Sequence, residues 1–355
     1  MLSFLKEHKF KFIGYGLLLI IGIIFPIVSP NRYYLTVATL GFIYAIAVYG
    51  LNLIVGYLGQ LSLAQAGFFG LGAYTSGLLM LKLDLNFWLA LPLAAIITTI
   101  LAVLVGLISF RTKGHYFVIL TLCIGVIINL VIEKWDSLTG GVRGLIGIPL
   151  PNPIGPLEFK TLESQYYLVF VFLLITIYVM NRISSSLLGR TFRSIRNSED
   201  LASTLGINVM YNKLLGFAIA AFFTGIAGAL YASYIRFLGP EISTHHLTFE
   251  FLLFLLIGGQ ATVAGPLVGT LIASVITESL QFAQEYRMVI FGLMLILIVR
   301  FFPGGAVGEA RKLKVKVTDF YNRRKAGNYP SGPGAGSSKG KLGVPSKGES
   351  HVTKN

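Results

Sequence analysis

The sequence predicts an all-α, polytopic integral membrane protein of about ten transmembrane helices, some of them broken or short. Three observations carry this. Hydrophobic residues make up 54% of the 355 residues and charged residues 12%, about half the usual ~25% charged share. Between Arg32 and Lys82 lie forty-nine residues without a charge, well beyond the ~20 that one helix needs to cross ~30 Å of hydrocarbon. That run is interrupted midway by Gly56-Tyr57-Leu58-Gly59-Gln60-Leu61-Ser62-Leu63-Ala64-Gln65. Glycines, amides and a hydroxyl between apolar segments belong where backbone lines a path or meets a neighbouring helix.

The elements follow from apolar runs bounded by charge. They place spans at 12–28, 33–56, 61–81, 87–109, 115–132, 165–180, 214–235, 248–258, 266–283 and 288–302. The first follows Lys6, Lys9 and Lys11, as a secretory signal would, but it ends in Val28-Ser29-Pro30 instead of an A-x-A-like site. It is therefore read as a retained helix. The stretch from Phe251 to Thr277 carries no charge, yet Gly258-Gly259-Gln260-Ala261-Thr262-Val263-Ala264-Gly265-Pro266 divides it. Two shorter segments are expected there instead of one helix.

Ten spans also satisfy the rule that short loops rich in Lys and Arg stay in the cytoplasm. Arg111 and Lys113 mark one such loop, and Arg182, Arg190, Arg193 and Arg196 another. The chain after Pro303 holds eleven Lys or Arg against Glu309, Asp319 and Glu349, a net of +8. With both termini in the cytoplasm, all three regions fall on one side. The expected organisation is a membrane domain over 1–308, with an inner loop at 181–213 and an outer loop at 133–164. A basic tail over 309–355, rich in Gly, Ser, Pro and Lys, is expected to be disordered.

Two sets of residues stand out as functional candidates. At the first break, Gly59, Gln60, Ser62 and Gln65 are costly to expose to lipid. Gln260 and Thr262 occupy the second, and the two breaks share the pattern Gly-Gln-x-[Ser/Thr]-x-Ala, by chance or by ancestry. Two readings stand for these residues: a polar pathway, or small residues and amides that pack helices together. In the inner loop, Ser198 suits an N-cap, Glu199 and Asp200 suit a first helical turn, and Gly206 suits the position past the end. A two-turn helix, preceded by Arg193 and Arg196 and carrying Leu201 and Ala202, is expected there, against the alternative of a solvated basic loop.

Several classes are disfavoured. The net charge of +14 sits in loops and tail, so it reports orientation and not a nucleic-acid surface. Cys123 is the single cysteine, so no internal disulfide can form. His245-His246 has no further Cys or His nearby, which argues against a metal site. Glu278 and Glu285 do not make a proton relay. Gly340-Lys341 lacks the earlier glycine and the following Ser/Thr of a phosphate loop. No nucleophile–base pair and no cofactor site is evident.

The run Gly56 to Tyr74 resembles the signature of branched-chain amino-acid ABC transporter permeases, most closely the LivM-type subunit. So do Gly114 to Leu122, Ser137-Leu138-Thr139-Gly140-Gly141, Gly147-Ile148-Pro149, the Gly189–Gly206 loop, Gly258–Pro266 and Phe302-Pro303-Gly304-Gly305. The resemblance covers about residues 30–308 and leaves out the basic tail. It implies a bacterial cytoplasmic-membrane importer without an ATP site of its own. A second, LivH-like permease would share the path, two cytoplasmic ABC ATPases would drive it, and an external binding protein would deliver leucine, isoleucine or valine. The resemblance makes Arg193, Arg196, Glu199, Asp200, Leu201, Ala202 and Gly206 candidates for coupling to an ATPase. Related urea permeases share most of these motifs, amides are a further alternative substrate, and a stand-alone transporter or channel is the alternative from another class.

Overall fold

The computed structural model describes residues 19–20, 22–28, 31–112, 114–156, 158–279, 287–301 and 304–309, all within one compact unit. The basic tail beyond residue 309, the start of the first span, Glu285 and Phe302-Pro303 lie outside the described residues. Described residues 22–28 form a helix, α1. Next come α2 (Arg32–Leu51), a π-helical turn (Asn52–Tyr57), α3 (Gln65–Lys82), α4 (Phe87–Ser109) and α5 (His115–Lys134). A short helix, α6 (Asp136–Thr139), precedes α7 (Leu162–Ser185), α8 (Leu187–Asn197), α9 (Glu199–Thr204) and α10 (Val209–Ile235). Then follow α11 (His245–Gly258), α12 (Gly265–Ser279), α13 (Arg287–Phe301) and α14 at 305–309.

Among the described residues, five helices are long and apolar enough to cross a membrane: Arg32–Tyr57 with its π turn, α4, α5, α7 and α10. The helices α11 and α12 have 14 and 15 residues, about 21–23 Å at 1.5 Å per residue, short of the hydrocarbon thickness. The charge-free run 251–277 is thus two short helices around a break at 259–264, as its glycines predict.

Local sequence sets the helix starts. Asn31, Asn86, Thr161 and Asn208 are extended N-caps whose side chains accept from Tyr33, Trp88, Ser164 and Tyr211 N–H groups. α10 is the central helix, packed on α2, α3 and α4. Lipid tails are as apolar as Leu, so close packing rather than hydrophobic burial holds such helices together. Small residues supply that closeness: a Cβ on Gly72 would lie 2.6 Å from Gly225 Cα, and one on Gly258 would strike the Gly265 carbonyl.

The bundle has two distinct ends. At one, Phe110, Gln60, Glu199 and Lys213 meet, and the break at 259–264 packs on the π turn. At the other, β1 (Leu145–Ile146) pairs antiparallel with β2 (Phe237–Leu238), in register Leu145 with Leu238. Arg236 closes α10 there with φ +61 and donates from Nε to the Ile148 carbonyl at 3.0 Å. Lys82 Nζ donates to the Ser137 carbonyl at 2.8 Å. The Thr139-Gly140-Gly141 motif turns the chain at this end, with Thr139 Oγ1 donating to the Ile132 and Trp135 carbonyls.

Candidate functional site

The first break is built from its backbone outward. At the π turn, Leu58 N donates to the Leu53 carbonyl and Gln60 N to the Ile54 carbonyl. Gly59 then takes φ +71, a left-handed conformation that glycine adopts without steric cost. Residues 58–64 are irregular before α3 starts at Gln65. Non-helical backbone at membrane depth needs partners in place of water. Two hydroxyls from distant helices supply them. Leu63 N donates to Thr121 Oγ1 at 3.1 Å, and Ala66 N donates to Thr248 Oγ1 at 3.0 Å. Thr248 in turn donates to the Leu63 carbonyl at 3.4 Å.

This stretch climbs through the bundle. Gln60 Nε2 donates to Glu199 Oε1 at 3.0 Å, and the same carboxylate pairs with Lys213 at the start of α10. Gln65 Nε2 donates to Thr224 Oγ1 and to the Ala47 carbonyl. Lys213 and Thr224 are separated by roughly 16 Å of helix rise. Gln65 and Ser62 are fully buried, and Gln65 Oε1 has no hydrogen-bond partner among the described residues. Gly59 is exposed and Gln60 half-buried.

The second break lies against the first. Asn52, 3% exposed, accepts from Ala261 N at 2.8 Å and donates to the Thr262 carbonyl at 2.9 Å. A backbone donor on one side and a carbonyl on the other fix which way the amide points. Tyr49 OH donates to the Val263 carbonyl at 2.7 Å. A Cβ on Gly56 would lie 2.6 Å from Ala261 N. Thr262 Oγ1 donates to the Gly259 carbonyl and accepts from Gly265 N, which caps α12; Gln260 is half-buried beside it.

The coupling candidates divide into two groups. Ser198 caps α9 through Leu201 N, and Gly206 takes φ +80, as their residue types predict. α9 has only six residues, however, and a second, amphipathic helix α8 precedes it. α8 buries Gly189, Phe192 and Ile195 and exposes Arg190. Arg193 donates to the Gly189 and Ser184 carbonyls, and Arg196 to the Gly56 carbonyl. With buried Ala202 and with Glu199, these residues hold the loop to the bundle. Asp200 and Leu201, by contrast, face outward, as do Leu205 and Tyr211.

Sequence reasoning passed over Asn52, Thr121, Lys213, Thr224 and Thr248. For all but Lys213, which precedes its apolar run, the available signal was a lone polar residue inside such a run, which is expensive in lipid unless partnered.

Comparison with known proteins identifies the family. Residues 33–299 match the family described as branched-chain amino acid transport system, permease component. The chain is 30% identical over 323 residues to the high-affinity branched-chain amino acid transport system permease protein LivM of Salmonella typhimurium, covering 84% of this chain and 76% of that protein. It is 25% identical over 297 residues to LivH of Escherichia coli, covering 78% and 95% respectively. A probable LivM of Methanocaldococcus jannaschii is 25% identical over 240 residues, 62% of this chain and 68% of that one. No solved structure matches. A family match across three quarters of its length and 30% identity to a LivM protein place this all-helical chain in the permease family of branched-chain amino acid transport systems.

Proposed function

We propose that this chain is the membrane subunit of an ATP-driven importer of leucine, isoleucine and valine in the bacterial cytoplasmic membrane. The observation that carries the substrate class is the 30% identity to LivM over 323 residues. The chain performs no covalent chemistry. It alternates access to a path shared with a second, LivH-like permease, while two cytoplasmic ATPases supply the energy and an external binding protein supplies the substrate. The membrane domain spans 1–308, the 309–355 tail lies in the cytoplasm, and both termini are cytoplasmic, which puts the α8–α9 end on that side. Gly59, Gln60, Ser62 and Gln65, with Gln260 and Thr262, border the path where the two breaks meet.

The α8–α9 segment is the ATPase contact. Leu201 and Leu205 are 63% and 73% exposed there, with Tyr211 at 62%. Exposed apolar side chains together on a polar loop mark a protein contact. Arg193, Arg196, Glu199 and Ala202 brace that contact from behind, Asp200 and Leu201 present it, and Gly206 ends it. Co-purification of the four partners with the tagged chain, followed by uptake of labelled leucine into vesicles loaded with ATP, tests the reading. Unlabelled isoleucine and valine are expected to compete and urea or acetamide to have no effect. Competition by urea alone would move the chain to the urea permeases.

A further inference from the structure

The residues that brace α8–α9 hold it to α7 and α10. They also hold it to the first break. Leu53, Tyr57 and Leu58 share a small buried cluster with Phe192, Ile195 and Ala202, separate from the large core. A Cβ on Gly59 would lie 2.7 Å from Arg196 Cγ and 3.4 Å from its Cβ. Arg196 donates to the Gly56 carbonyl, and the Arg193 guanidinium lies 6.0 Å over the Tyr57 ring. At the centre, Glu199 receives both Gln60 and Lys213. The Lys213 side chain is only 6% exposed, with its ammonium 5.9 Å above the Phe110 ring. Among the described residues this is the one ion pair with a buried member.

A buried ammonium needs a partner, and removing that partner is far more disruptive than the pair is stabilising. Lys213 is therefore held to Glu199 in any state in which it stays dry. Glu199 sits in the first turn of α9 and Gln60 in the break, so a displacement of α9 reaches the break through one carboxylate. We infer that Lys213, Glu199 and Gln60 form a latch that makes α8–α9 and residues 53–60 move as one body, with Lys213 and Gln60 as positioning residues for transport. The inference rests on the proposed coupling role of α8–α9. It adds that the displacement arrives at the first break, through Gln60, together with the start of α10, through Lys213.

The test uses the complete reconstituted importer. ATP-dependent uptake of leucine by the wild-type complex comes first, and its absence contradicts the proposed function without bearing on the latch. Glu199→Gln and Lys213→Met are then compared with the exchanged pair Glu199→Lys/Lys213→Glu. The single variants should assemble and hydrolyse ATP at near wild-type rates, while leucine moved per ATP falls by about tenfold, within the range of coupling between sites. The exchanged pair should recover most of that loss, because the Gln60 amide can turn its oxygen toward the ammonium introduced on α9. A role in folding alone would lower assembly and leave uptake per ATP unchanged. Should Glu199→Gln fail to assemble, Lys213→Met decides, since it removes the buried charge and leaves a carboxylate that is 32% exposed. Unchanged uptake per ATP in a single variant that assembles overturns the latch.

A second measurement addresses the single-body motion. In a Cys123→Ser background, Gly59→Cys with Arg196→Cys places the two Cβ atoms near the 3.5–4.5 Å that a disulfide needs. The oxidised protein should transport as well as the same protein reduced. Uptake lost on oxidation and restored by reductant would show that the two segments separate, which overturns the inference.

Discussion

Replacing Asn52 with Leu removes the joint between the two breaks while keeping the side-chain size. Two hydrogen bonds disappear, from Ala261 N and to the Thr262 carbonyl. Each orphaned backbone group costs ~1–3 kcal/mol when buried. Ala261 and Thr262 are half-buried, so water can replace part of the loss. The net cost is about 2 kcal/mol for local opening of the 259–264 segment. Opening should then be roughly 30-fold more frequent, since 1.4 kcal/mol is a factor of ten. Hydrogen exchange of the purified complex, read on peptides covering 259–264, reports this directly. Exchange should accelerate there and stay unchanged in α4, which Asn52 does not bond. Asn52→Asp keeps an acceptor for Ala261 N but loses the donor, and sets a carboxylate oxygen against a carbonyl; it should not restore protection. Wild-type exchange of 259–264 in Asn52→Leu would refute the view that this amide holds the second break in place.

Much of the fold was legible because the helices carry their own punctuation. The 87–109 span agrees with α4 to the residue, since Asn86 caps it and the next charge, Arg111, follows closely. Ser198 and Gly206 announced α9 by the same logic. α8 was missed because Arg190, Arg193 and Arg196 were read only as marks of a cytoplasmic loop, although Gly189, Phe192 and Ile195 keep a helical spacing. Asn52 stood out as a lone polar residue in an apolar run, but its role did not. Its partners lie 209 and 210 residues away, and nothing local to Asn52 points to them. The π turn over Asn52–Tyr57 likewise lies where Gly56 packs on Ala261, a contact from the far end of the chain that its own composition does not announce. The echo between the breaks at Gly59 and Gly259 gave no hint that the two would touch.

Other outcomes follow from the same geometry. Gln60→Leu and Gln65→Leu should impair uptake more than assembly, because hydrogen bonds between membrane helices average only ~0.6 kcal/mol; normal uptake in both would remove them from the path. Ala202→Pro should uncouple ATP hydrolysis from uptake without blocking insertion. It removes the bond from Ala202 N to the Ser198 carbonyl inside α9, at a cost of ~3 kcal/mol or more. Leu201→Pro should be milder, since Leu201 N meets only the Ser198 cap in the first turn. Deletion from Gly327 onward should leave transport largely intact, and Lys339→Cys in intact cells should resist an impermeant thiol reagent; efficient labelling would place the tail outside.

The central claim is that this chain is a passive path worked by ATP hydrolysis on other subunits. The most direct measurement is leucine uptake into vesicles holding the purified chain alone, with the second permease, and with the permease pair plus both ATPases and the binding protein. The account predicts uptake only in the last, only with ATP, and insensitive to collapse of proton and sodium gradients. Gradient-driven uptake by the chain alone, or by the two permeases without ATPases, would contradict it.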